Sequence, residues 1–116
     1  MLIKSHEQKE VFTREKCHII ELLNDPHIPN LSLATARVEP NITTELHKLE
    51  VDEAYYILKG MGHMEIDGKS VGKVEVGDVI YISKGRSQQI TNAGSVDLLF
   101  LCICSPRFEP EKYHEI

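Results

Sequence analysis

The chain has no tryptophan, only three phenylalanines and four tyrosines, and three cysteines in 116 residues. An odd, small number of cysteines behind no apolar leader excludes a disulfide framework as the basis of stability and predicts reduced thiols. Cys102 and Cys104 fall on one face of a predicted strand, their Cα atoms about 6.8 Å apart, at the outer limit of a disulfide. Buried free thiols are the plain reading of the pair, and a soft-metal or redox role is the alternative; Cys17 has no nearby partner in sequence. Basic charge is also short. Lys and Arg number 13 against 18 Asp and Glu, for a net charge of −5 and a pI near 5.6. No basic stripe stands out, which speaks against nucleic acid or an anionic membrane as a main partner. The longest apolar run, Leu98 to Cys104, is far below the roughly 20 residues of a membrane-crossing helix. Met1 to Glu10 is polar, so no secretory signal and a cytoplasmic protein are expected.

What is present is ordinary globular composition, 41% apolar and 27% charged, at a length that suits one domain. Cys17 to Leu23 is rich in β-formers. Asn24 to Asn30 breaks it with two prolines, which cannot continue a ladder. Leu31 to Val38 is the next expected strand, with Leu31, Leu33, Thr35 and Arg37 on one face. Glu39-Pro40-Asn41 turns the chain. From Ala54 to Val79, short strands alternate with glycine, a rhythm that suits an all-β barrel or sandwich. Asp67-Gly68 signals a hairpin, and Gly77 and Gly85 mark further turns. Leu98 to Cys104 is apolar at nearly every position and should be buried on both faces. Its outer side needs cover from the N-terminal segment or a second subunit, which predicts a homodimer. The domain divides into a barrel at about 17–104, a polar lead at 1–16, irregular or a short helix, and a charged tail at 105–116 with room for one helical turn.

The chemistry concentrates between Thr44 and Gly60. Alternation along a strand puts Glu45, His47 and Leu49 on one face. Glu53 follows after a break at Val51-Asp52, with Tyr55 and Ile57 on its side. A histidine and a carboxylate from adjacent strands can converge on one divalent ion. Arg37, if it faced inward, would suit a carboxylate or phosphate on a ligand. Tyr55 could line the mouth of a pocket, whereas His63, on a hairpin strand, should face out.

Two stretches, Thr44 to Gly60 and Gly77 to Asn92, resemble the paired motifs of the cupin superfamily. His47, Glu53 and Gly60 fall on the first His, the Glu and the Gly of the first motif, while Leu49 stands where a second His belongs. In the second motif Gly77, Gly85 and Asn92 match, Ser83 replaces a Pro, and Gln88 replaces a His. The resemblance implies a double-stranded β-helix, the jelly-roll cupin barrel. It also implies a pocket for a divalent transition metal (Zn, Mn, Ni or Fe), with His47, Glu53, Gln88 and, in place of the imidazole lost at Leu49, Glu45 as ligands. Arg37 and Tyr55 are the expected substrate contacts. Family activities would be isomerase, epimerase, dioxygenase or decarboxylase. With one clear histidine the chain is most similar to the mannose-6-phosphate isomerase-like cupins, acting on a sugar derivative or small acid. A non-catalytic binding module for a small ligand, with or without metal, is the alternative, and an ion with no catalytic task is a third.

Overall fold

A computed structural model describes residues 1–116. Eleven strands follow one another: β1 (Glu10–Phe12), β2 (His18–Leu23), β3 (Ser32–Val38), β4 (His47–Leu49), β5 (Asp52–Lys59), β6 (Met61–Ile66), β7 (Lys69–Glu75), β8 (Val79–Ile82), β9 (Ser87–Asn92), β10 (Leu98–Ser105) and β11 (Tyr113–Glu115). They form a six-stranded sheet in the order β1-β2-β3-β10-β5-β8 and a five-stranded sheet in the order β11-β4-β9-β6-β7. All pairings are antiparallel. This is the jelly-roll barrel that the resemblance implies, within the all-β class that the alternating pattern predicts. No helix is long and apolar enough to cross a membrane.

Period-two alternation fills the space between the sheets. Ala36 and Val38 of β3, Tyr55 and Ile57 of β5, and Leu98 and Phe100 of β10 face Met64, Val74 and Ile90 of the smaller sheet in one buried cluster. Full burial of a side chain such as Ile57 or Phe100 stabilises the fold by about 2 kcal/mol. A second, smaller cluster joins Leu49, Val51 and Cys104 under Phe108 and Tyr113.

The motif residues Gly60 and Asn92 have structural work. Gly60 has φ +80°, and a Cβ there would lie 2.6 Å from the Asp97 carbonyl oxygen. Asn92 is fully buried and donates through Nδ2 to the carbonyls of Val38 and Val96 while its Oδ1 accepts from the Gly94 amide. It ties β9, β3 and the β9–β10 loop together. Asp67 and Gly68 both take positive φ, as the predicted hairpin requires.

Three expectations need correction. The lead contributes β1, paired to β2, and the tail contributes β11, paired to β4, so the sheets extend past 17–104 at both ends. At three residues each, both strands are too short to carry an alternating pattern, and a neighbouring strand edge recruits them. In β10 only alternate residues are fully buried; Leu99, Leu101 and Ile103 stay half-exposed on the outer face. Arg37 is on that outer face too, because Ala36 and Val38 take the inside. Its guanidinium bonds the Glu10 carboxylate at 2.8 Å and Asp97 at 3.0 Å, so it is no pocket residue.

Candidate functional site

One end of the barrel holds a cavity of about 160 Å³. Its floor comes from the larger sheet. Glu53 and Tyr55 project from β5, Phe100, Cys102 and Cys104 from β10, and Ala34 and Ala36 from β3. The opposite side is His47, directly across the β4–β9 pairing from Gln88. The rim is Phe108, Tyr113 and a turn of the N-terminal arm that inserts Glu15. That arm is pinned: Thr13 Oγ1 donates to the Cys17 carbonyl, and the Glu45 amide donates to the Glu15 carbonyl at 3.0 Å.

Glu53 is the centre of a buried network. Gln88 Nε2 donates to Glu53 Oε1 at 2.6 Å and to the Tyr55 hydroxyl at 2.7 Å, and the Cys104 thiol donates to Glu53 Oε2 at 3.5 Å. The acid is 7% exposed. Burial pushes its carboxyl up to about 7, with the bonds from Gln88 and Cys104 pulling the other way. Glu15 is likewise raised to about 7, first by burial and then by the charges of Glu53 and Glu45. Two carboxyls that titrate near neutrality therefore border one cavity.

His47 has a fixed tautomer. Its Nδ1–H donates to the Glu45 carbonyl at 2.8 Å, which leaves Nε2 as the bare nitrogen, 3.8 Å from the Glu15 carboxylate. Burial lowers its pKa, so the ring is neutral. The Tyr113 ring stacks on it at 4.7 Å, and the Tyr113 hydroxyl donates to Glu45 Oε1 at 2.6 Å. Burial raises all three thiols, Cys17 to about 12, so each remains protonated and none is an activated nucleophile.

The expected ligand set does not converge. His47, Glu53 and Tyr55 reach the cavity, but Gln88 lies behind Glu53 and Tyr55 with its amide NH₂ engaged by both. Turning the amide over would set its oxygen against a carboxylate. Glu45 is absent from the cavity lining, because β4 starts only at His47 and the Glu45 carboxylate bonds Tyr113 at the rim. Leu49 packs in an apolar cluster with Val51 and Cys104. No group of three His, Cys, Asp or Glu side chains is placed to hold a metal ion. The donors present do not fit the divalent ion expected from the motifs. Glu15 and Tyr113, by contrast, are pocket residues without a sequence signal: each lies in a polar terminal segment outside both motifs.

Comparison with known proteins agrees with the barrel. The family model described as a cupin domain matches residues 34–104. An uncharacterized protein of Methanocaldococcus jannaschii is 37% identical over 110 residues, covering 89% of this chain and 84% of that protein. An oxalate-binding protein of Thermotoga maritima is 39% identical over 71 residues, 60% of this chain and 58% of its own length. Among solved structures, a predicted oxalate decarboxylase from Thermotoga maritima superposes with a TM-score of 0.81 at 29% identity, covering 91% of this chain and 99% of that one.

Proposed function

The chain belongs to the cupin domain family, and from that footing we propose that the end of its barrel binds one small polar molecule against Glu53, His47 and Tyr55. The observation that carries this reading is Glu53. A carboxyl this deeply buried, at the floor of an open cavity and aimed by Gln88 and Cys104, contributes nothing to packing that an apolar residue would not do better. It presents an oxygen to whatever enters. The bare Nε2 of His47 accepts a second hydrogen bond from the guest, and the Tyr55 hydroxyl is held by Gln88 at 2.7 Å.

A second reading is isomerase-like proton transfer on that guest. Glu15 and Glu53, both raised to about 7, border the cavity, and groups that titrate near working pH are the ones suited to general acid and base roles. One would remove a proton while the other supplied one, with neutral His47 orienting the substrate oxygen.

The assembly that fits is a homodimer. On the outer face of the larger sheet, Leu101 of β10, Tyr56 of β5 and Val79 of β8 sit in one cross-strand row. Val79 is 65% exposed and the neighbouring Tyr81 62%. A second copy laid on the same face would cover them by two-fold symmetry.

The test is amide NMR of the protein in excess chelator, titrated with a panel of small polyols, hydroxy acids, keto acids and amines. Saturable shifts confined to residues around Glu53, Tyr55, His47 and Glu15, lost in Ala34→Phe, are expected. A panel with no binder, or binding that needs an added divalent ion, refutes the metal-free pocket.

A further inference from the structure

The cavity is one-sided in charge. Glu15, Glu21 and Glu53 line it, and no Lys or Arg does. Its single imidazole, His47, is kept neutral by burial. Glu53 takes part in no ion pair and is met only by neutral donors, the Gln88 amide and the Cys104 thiol. On the cavity side the Glu15 carboxylate lies 3.8 Å from His47 Nε2 and feels the Glu53 charge. Arg14, the adjacent cation, lies 4.9 Å over the Tyr113 ring and 4.0 Å from Glu45, largely in solvent, and its charge offsets only part of what burial, Glu53 and Glu45 do to Glu15. A buried carboxylate beside a partly buried one, neither paired directly with a Lys or Arg, is relieved by uptake of a proton or a cation from outside.

The remaining surface is carbon and ring. Phe100, Phe108, Tyr55 and Tyr113 line the cavity, and Tyr55 and Phe100 already pack at 4.4 Å between centroids. Aromatic faces next to carboxylates favour an organic cation. At about 160 Å³, the space matches a cavity of roughly 150 Å³ that holds benzene.

We propose that this cavity selects a compact primary organic ammonium ion, its charge held between the Glu15 and Glu53 carboxylates and its carbon body against Phe100 and Phe108. The proposal rests on the reading of the barrel end as a small-molecule pocket. It runs against a transfer of the ligand named for the Thermotoga maritima relative. Oxalate, a dianion, would enter past Glu15 and Glu21, meet Glu53, and find no positive group to offset its lost hydration.

Isothermal titration calorimetry of the chelator-treated protein at about pH 8, above the value of about 7 to which both carboxyls are raised, tests this with benzylammonium, its neutral counterpart benzyl alcohol, and oxalate. Benzylammonium should bind at least about tenfold tighter than the alcohol, and Glu15→Gln and Glu53→Gln should each weaken the amine by about tenfold, several times more than they weaken the alcohol. Oxalate should give no heat. Equal binding of amine and alcohol, or oxalate tighter than the amine, overturns the proposal. Ala34→Phe, checked for folding by circular dichroism, separates the two readings. If it abolishes benzyl alcohol binding while the amine is no tighter than the alcohol, the pocket stands and charge selection falls. If the parent binds no probe, both fall.

Discussion

Glu53→Gln is the substitution that reports most directly on the buried network. Glutamine keeps the shape and the acceptor for Gln88 but cannot ionise. In the fold the Glu53 carboxyl is raised from 4.5 to about 7 by burial, so the folded state holds its proton more tightly than the unfolded chain does. The sign follows. Stability from this group is fully present below about 4.5, falls as pH rises through the interval, and is gone above about 7. At about 1.36 kcal/mol per pH unit the interval amounts to about 3 kcal/mol. The parent should therefore lose that much between about pH 4.5 and pH 8 from Glu53, beyond what other groups contribute. Glu53→Gln should match the parent at the acid end and exceed it by about 3 kcal/mol at the alkaline end. Urea unfolding of both proteins at half-unit pH steps measures the difference curve directly. A difference that is flat with pH, or a parent that gains on Glu53→Gln as pH rises, would refute the account. The same substitution removes a neighbouring negative charge from Glu15, so the Glu15 carboxyl should titrate lower by carbon-detected NMR.

Gln88→Ala strips partners from Glu53 and the Tyr55 hydroxyl inside the core, at a cost of about 2–3 kcal/mol by urea unfolding. It should also raise the Glu53 titration further, where an unmoved titration would place the amide elsewhere. Gly60→Ala meets the Asp97 carbonyl oxygen at 2.6 Å from a φ of +80° and should cost at least about 2 kcal/mol, while Gly68→Ala, with open space around it, should cost about 1 kcal/mol from its φ alone. Arg37→Ala should leave pocket binding untouched, because its partners Glu10 and Asp97 lie outside the barrel; a weakened ligand would return it to the site. Val79→Glu with Tyr56→Glu should halve the mass seen by light scattering, and a parent that is already monomeric ends the dimer reading.

The fold was legible because its information is local. Turn chemistry at Asp67-Gly68, Gly77 and Gly85 coincides with the positive-φ residues, and period-two alternation puts Glu53, Tyr55 and Ile57 on one buried face as expected. The terminal strands were not legible. β1 and β11 are three residues each, with exposed or half-buried side chains, so no burial pattern is written into them. They exist because β2 and β4 offer free edges, a tertiary cause that a three-residue segment does not display. For the same reason Glu15 and Tyr113 escaped notice, since both reach the cavity only through that pairing and the turn beside it.

The site was legible by position and misread by chemistry. His47, Glu53 and Gln88 do stand together, as motif spacing requires, but spacing fixes where a Cα lies and not what its side chain does there. Histidine at position 88 would offer a lone pair; glutamine offers an NH₂, and an NH₂ beside a carboxylate donates to it. Leucine at position 49 then removes a polar group altogether and closes an apolar cluster with Val51 and Cys104. The two changes reinforce each other. With donors in place of lone pairs around Glu53, the acid is neutral-oriented from behind and uncompensated in front, and its only outlet is the cavity. Glu15 then adds a second acid rather than a base. A pocket built this way draws its positive charge from the guest, whether that guest brings a proton or an ammonium group.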